Sequence, residues 1–234
     1  QHFVNGVTIK VDMANAFNTV SRAEEARALY ARPELSHLWR LFDFAYGSAA
    51  PLIMYNRGVA YAAMSSVEGV KQGDALGSFL FCLAIQGILE KAKRGRSSEI
   101  IAYIDDCYIV GPVEDALTIF RKLRSGLAKI GLQLAPAKCC AIYNGGAAVS
   151  VSMPEAISRR MQDHNLQAVD QMEVLGCCIT DSSALMNDWL QARRADHRDA
   201  CGILSHRSMP VQSALLLQRM SINTRLDHLM RMLE

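Results

Sequence analysis

A chain of 234 residues, half of them hydrophobic, is long enough for one large domain or for one domain with a small helical appendage, and too apolar for wholesale disorder. With 25 basic and 23 acidic residues the net charge is only +2, so composition alone announces no nucleic-acid binder and any basic surface must come from local clustering. Seven cysteines form neither a CxxC pair nor a Cys/His set at zinc spacing. With no signal peptide in view, the expectation is reduced thiols in an intracellular protein. The longest apolar stretch, Phe79–Ile85, is too short to span a bilayer, so no membrane role is expected.

In chain order, Val7, Ile9 and Val11 alternate with Thr8 and Lys10, which predicts a half-buried strand ending at Asp12. Residues 22–46 read as helical with a break near Pro33, and Leu35, Leu38, Trp39 and Phe42 supply an apolar stripe. Residues 51–67 predict a hairpin turning at "YNRG". After the glycine-rich "EGVKQGDALGS", an apolar helix is expected over 78–93. "EIIAYIDDCYIVGP" (99–112) predicts strand, turn and strand, with two aspartates at the bend. Ala116, Phe120, Leu123, Leu127 and Ile130 then mark one face of a helix over about 113–130, closed by Gly131. Short strands are predicted at 139–143 and 172–179. From Ser183 the pattern is helical: 183–206, a second helix from Pro210, and a third to the C-terminus. The order implies an α+β fold, a sheet with helices packed on one face.

Asp105 and Asp106 stand among the residues of a predicted buried strand, where two carboxylates cost several kcal/mol unless something pairs with them. Asp12 ends its own strand 93 residues earlier. If the two strands are neighbours, three carboxylates converge, and like charges that close raise one another's pKa. Divalent cations resolve the conflict, since Mg²⁺ takes one or two carboxylates together with phosphate oxygens and water. The plainer alternative is that Asp-Asp pairs simply cap turns.

Five blocks decide between these: "IKVDMANAFNTVSR" (9–22), "EGVKQGDALGSFLF" (68–81), "AYIDDCYIVG" (102–111), "GLQLAPAKC" (131–139) and "EVLGCCI" (173–179). In order and spacing they resemble the reverse transcriptase palm, most of all that of non-long-terminal-repeat retrotransposon enzymes. The resemblance implies a polymerase palm, an antiparallel sheet with helices on one face, over residues 1–180, and a helical thumb start over 181–234. The fingers strands that hold the triphosphate are then expected upstream of residue 1 or on a partner domain. It implies RNA-directed DNA polymerase activity on an RNA template and DNA primer with deoxynucleoside triphosphates. Its cofactors would be two Mg²⁺ ions, with Mn²⁺ as the alternative.

Carried over by position, the resemblance makes Asp12 and Asp105 metal ligands, Asp106 a supporting carboxylate, and the Met13 backbone carbonyl a further ligand. Phe17 takes the place of the ring that crowds the sugar 2′ position. Gln72 and Gly73 border the incoming nucleotide, and Lys138 is placed to protonate pyrophosphate. Tyr103 is a nucleic-acid contact, Leu175 and Gly176 belong to a hairpin gripping the primer, and Arg194 and Arg198 share a helix face suited to phosphates. The rival expectation is a catalytically silent palm that only binds nucleic acid.

Overall fold

The computed structural model describes residues 5–71, 73–145 and 152–233. They form two compact units, one running through residue 145 and including Pro154–Ala168, the other taking residues 152–153 and 169–233.

The first unit begins with β1 (Gly6–Val11), in which Val7, Ile9 and Val11 are fully buried, as the alternation predicts. β2 (Met13–Ala14) and the single turn α1 (Ala16–Thr19) follow. Helices α2 (Arg22–Tyr30) and α3 (Trp39–Tyr46) are separated by a tight helical turn, Pro33–Leu38, so the predicted break at Pro33 is present. Leu29, Phe42 and Tyr46 pack with Val70, Leu80 and Leu83 into a buried cluster, where each large side chain contributes roughly 1.5–3 kcal/mol.

The hairpin β3 (Ala50–Asn56) and β4 (Val59–Ser66) turns at Arg57 and Gly58, both at positive φ, the two-residue geometry that matches strand twist. After it come α4 (Gly77–Lys93), β5 (Glu99–Tyr103), β6 (Asp106–Pro112), α5 (Val113–Ala128), β7 (Gln133–Leu134), β8 (Cys140–Asn144), α6 (Glu155–Gln162) and β9 (Gln167–Ala168).

One five-stranded sheet is ordered β5-β6-β1-β8-β9. All its pairings are antiparallel except β8 with β9, which is parallel and makes the sheet mixed where the sequence suggested a purely antiparallel one. Val7, Ile9, Val11, Cys107 and Ile109 are buried in register with one another. Helix α5 lies along β1 and β6 and α4 reaches β5, and their buried Phe81, Ile85, Ala116, Ile119, Phe120 and Leu123 fill the layer between. The opposite face is open at its β5 end, while Tyr108 and Ile142, set on it opposite Lys10 and Thr8, are buried. Strand β5 is not the buried strand expected: it is an edge strand, with Ile101 and Tyr103 58% and 60% exposed on the open face.

The second unit carries the hairpin β10 (Met172–Val174) and β11 (Cys177–Ile179), then α7 (Ser183–Leu204). Ser182 caps α7 by accepting from the Leu185 N–H at 3.4 Å. Beyond it, α8 (Val211–Leu217) and α9 (Asn223–Leu233) are joined by a π-helical turn over Gln218–Ile222, so the two predicted terminal helices run on without a loop. All seven cysteines are free thiols. Among the described residues, no helix is long and apolar enough to cross a membrane.

Candidate functional site

The carboxylates are brought together by strand pairing. β1 and β6 are direct neighbours, and one step beyond their last pair, Val11 with Cys107, the register sets Asp12 opposite Asp106. Tyr103 pairs with Asp106 across the two-residue turn Ile104–Asp105. Residues facing each other across a sheet share a side, so Asp12, Asp106, Tyr103 and Lys10 all lie on the open face. Asp105 is exposed in the turn and Asp106 is half-buried, so the burial cost falls on Asp106 alone. Its carboxyl is raised above the usual range, first by desolvation, then by the charge of Asp105. Asp12 adds to the rise and Lys10 opposes it.

The turn itself is strained. Ile104 sits at φ 58°, a region that β-branched residues avoid and that costs about 1–3 kcal/mol. Glycine would be the unstrained choice.

The backbone of Asp12 is held from below. Its N–H lies 3.4 Å from the buried Cys139 Sγ, its carbonyl lies 3.6 Å from the same sulfur, and that carbonyl also accepts the Ala135 N–H at 2.9 Å. This last bond makes the next pair, Met13 with Leu134, a non-hydrogen-bonded one, so the Met13 carbonyl is turned away from β7. Lys138 is mostly exposed, its Nζ 3.9 Å from Asp12 Oδ1, an ion pair of small energetic worth. Nothing in the residue pattern marked Cys139 as a support. Its role comes from β8 lying beside β1.

Phe17 and Gly73 meet in a second cavity of about 230 Å³, lined also by Lys71, Asp74, Gly77 and Ser78. The close approach depends on Gly69, at φ +68°, where a Cβ would lie 2.5 Å or less from the Phe17 and Asn18 backbone. Two bonds lock it, Gly69 N–H to the Val20 carbonyl at 3.0 Å and Val70 N–H to the Phe17 carbonyl at 2.7 Å. Phe17 stacks on Phe81 at 5.0 Å. Gly77 and Ser78, the first residues of α4, belong to this lining, and the Cys82 thiol farther along the helix is raised by burial and secondarily by the charge of Asp105. Gln72 lies outside the described residues.

Lys71 and Asp74 are clamped by a residue that its sequence context does not single out. The buried Tyr46 hydroxyl accepts the Lys71 N–H at 3.2 Å and donates to Asp74, whose other oxygen accepts the Leu76 N–H at 3.0 Å. Burial and the bond to Asp74 push Tyr46 up to about 12, while the same bond, followed by the Leu76 N–H, holds Asp74 below the usual range. Arg22 and Lys71 flank the ring at 5.3 and 5.5 Å. Tyr46→Phe deletes one hydroxyl and leaves its partners unpaired, so a loss of about 1–3 kcal/mol is expected in urea denaturation. An unchanged midpoint would show that the clamp carries no stability.

In the second unit, Leu175 and Gly176 form the two-residue turn of β10–β11, at φ 48° and 81°. The His228 ring nitrogen lies 2.8 Å from the Leu175 carbonyl. Arg194 and Arg198 are exposed on α7, four residues apart.

Among the described residues, no three acidic, histidine or cysteine side chains are gathered into a ready-made metal site. The candidate donors, the Asp12, Asp105 and Asp106 carboxylates and the Met13 carbonyl, are nonetheless all oxygen, with the Cys139 sulfur engaged by the Asp12 main chain, and Asp106 is raised in part by its like-charged neighbours. Such a donor set fits a hard divalent ion rather than zinc or copper.

Residues 5–179 match the family described as reverse transcriptase (RNA-dependent DNA polymerase). Over 128 residues the chain is 27% identical to the Retrotransposable element SLACS 132 kDa protein of Trypanosoma brucei gambiense, which covers 54% of this chain and 11% of that protein. Two solved structures of apo telomerase from Candida tropicalis align with TM-scores of 0.52 and 0.51 at 14% identity. Each alignment covers 76% of this chain, and 34% and 32% of theirs, a likeness of fold. The chain thus spans about a tenth of the curated relative and a third of the solved structures.

Proposed function

The chain belongs to the reverse transcriptase family, and from that premise we propose that it is the palm, residues 1–180, and thumb start, 181–234, of an RNA-directed DNA polymerase of a retrotransposon. The observation carrying this reading is one arrangement: Asp12 and Asp106 face each other across β1 and β6, and Asp105 is in the adjoining turn. Template RNA, DNA primer and deoxynucleoside triphosphates are the proposed substrates.

Asp12 and Asp105 would hold two Mg²⁺ ions, or Mn²⁺, with Asp106 in support and the Met13 carbonyl as a further ligand. When bound, such ions neutralise charge on the attacking and leaving oxygens of a phosphoryl transfer. The protein's own groups do the rest. Phe17 would crowd a ribose 2′-hydroxyl, and its stack on Phe81 would keep that ring from yielding. Gly73, with nothing within 4 Å of the position of a Cβ, lets a nucleotide approach the backbone closely, and Gln72 would border it. Lys138, close to Asp12, would give a proton to the departing pyrophosphate. Tyr103 offers an exposed ring on the open face for the nucleic acid, the Leu175–Gly176 turn would grip the primer, and Arg194 and Arg198 would meet phosphates.

Primer extension on an RNA template with Mg²⁺ and deoxynucleotides tests the proposal. A chain that binds template–primer without extending it would be a silent palm. Phe17→Ala is expected to raise ribonucleotide incorporation relative to deoxynucleotide at least about tenfold, the scale on which a missing steric contact relaxes selectivity. Unchanged sugar discrimination would remove Phe17 from this role. Phe17 also packs against the core cluster, so the variant loses burial as well as the stack, roughly 2–4 kcal/mol, seen as a fall in Tm.

A further inference from the structure

The outer surface of the helical layer carries a groove of about 840 Å³ between α2, α4 and α5. Arg27, Lys91, Arg121, Lys122 and Lys129 line it, and Glu24, bonded to Arg27, is the single acid among the described residues there. This is an excess of four positive charges on a chain whose total is +2. The cationic clustering that composition failed to announce is concentrated here. The groove lies on the side of the first unit away from the carboxylates, because α4 and α5 stand between it and the sheet.

A second observation comes from the glycines of these helices. Gly126 of α5 has a packing reason, since a Cβ there would lie 2.5 Å from Ile88 Cγ2. Gly87, in the interior of α4, has none: nothing lies within 4 Å of where its Cβ would stand, and the space opens into the groove. A mid-helix glycine weakens a helix relative to alanine, and at position 87 that weakening coincides with a clear floor between the cations.

We infer that this groove is a second nucleic-acid site, holding the phosphate backbone of an RNA strand independently of sequence. Between Thr118 and Lys129 the α5 wall runs about 16 Å at 1.5 Å per residue, the axial length of four or five phosphates of one strand. The Thr118 and Ser125 hydroxyls stand along the same wall as further phosphate donors. Among the described residues lining the groove no large apolar side chain is exposed, so a protein partner would find no anchor of the kind that dominates protein interfaces.

The test is fluorescence anisotropy with a labelled 20-nucleotide single-stranded RNA, titrated over a range of salt. Combined Lys91→Gln, Arg121→Gln, Lys122→Gln and Lys129→Gln should weaken binding at least about tenfold and flatten the slope of log K against log salt by roughly three, at about 0.7 per phosphate released. Extension of a saturating, pre-annealed template–primer should persist, which separates this site from the polymerase reading. Gly87→Glu puts a carboxylate into the open space without disturbing packing, and should weaken RNA binding severalfold with no fall in Tm. It decides the matter if the fourfold variant fails to fold. RNA affinity and salt slope equal to wild type in Gly87→Glu and in any folded fourfold variant would overturn the proposal. So would a groove that loses poly-glutamate binding, but not RNA binding, on substitution.

Discussion

Asp12→Asn should lower primer extension by about a thousandfold while Tm holds or rises. The first half follows from the proposed role: a lost ligand carboxylate forfeits several kcal/mol of transition-state charge stabilisation, and about 4 kcal/mol is a factor near a thousand. The second half follows from geometry. Asp12 faces Asp106, whose carboxyl is raised in part by Asp12 and by Asp105. Removing one like charge relieves that repulsion, and asparagine keeps the backbone bonds to Cys139 and Ala135, which belong to the main chain. Single-turnover extension measured beside thermal melting checks both halves. Extension within tenfold of wild type would end the assignment, and a collapse of Tm would make Asp12 a structural residue instead.

Glu25→Gln should stabilise the chain at pH 8 by about 2–3 kcal/mol. Glu25 is fully buried on α2, and among the described residues neither carboxylate oxygen accepts a hydrogen bond. Desolvation pushes its pKa from 4.5 to about 7, against the pull of the Arg22 guanidinium. That guanidinium is already committed to the Ser66 and Gly69 carbonyls and the Ser66 hydroxyl at 2.7–2.8 Å. The fold therefore favours the protonated acid. Its stabilising contribution is complete below about pH 4.5, the unfolded value, and is lost as pH rises through 7. At about 1.4 kcal/mol per pKa unit, a rise from 4.5 to about 7 costs about 3.5 kcal/mol, of which the buried glutamine amide gives back part. Urea denaturation from pH 5 to 8 reads it: wild type should weaken relative to Glu25→Gln over that window, and parallel curves would contradict the buried acid.

The parts of this molecule legible from sequence are those where local pattern and tertiary outcome agree. The alternation of Val7, Ile9 and Val11, the Arg57–Gly58 turn, and the face of α5 each encode their structure within a few residues. So does the carboxylate turn, because a two-residue link between apolar strands leaves Asp105 nowhere else to go. What was illegible depends on neighbours distant in the chain. Glu25 sits among charged neighbours in "RAEEARALY", and it is buried only by the packing of α2 against the elements around it. Tyr46 gains its role from a loop 25 residues on. Helix α6, with Met161 as its buried residue, and the two-residue strands β2, β7 and β9 are too short to show a period. Cys139 had no recognisable role in the pattern until the pairing of β8 with β1 set it under Asp12.

The β3–β4 hairpin has a bearing on how the protein behaves at working concentrations. Among the described residues its two strands pair only with each other, leaving a row of unpaired amides and carbonyls along each outer edge. Leu52, Ile53, Tyr55, Val59, Tyr61 and Met64 are 45–67% exposed on it, and no charged side chain stands in either strand. Edges of this kind template further strands. Crowding of this chain should therefore favour strand-by-strand growth from this ribbon, and one lysine, at Ile53 for example, should act as a gatekeeper, read as lower light scattering.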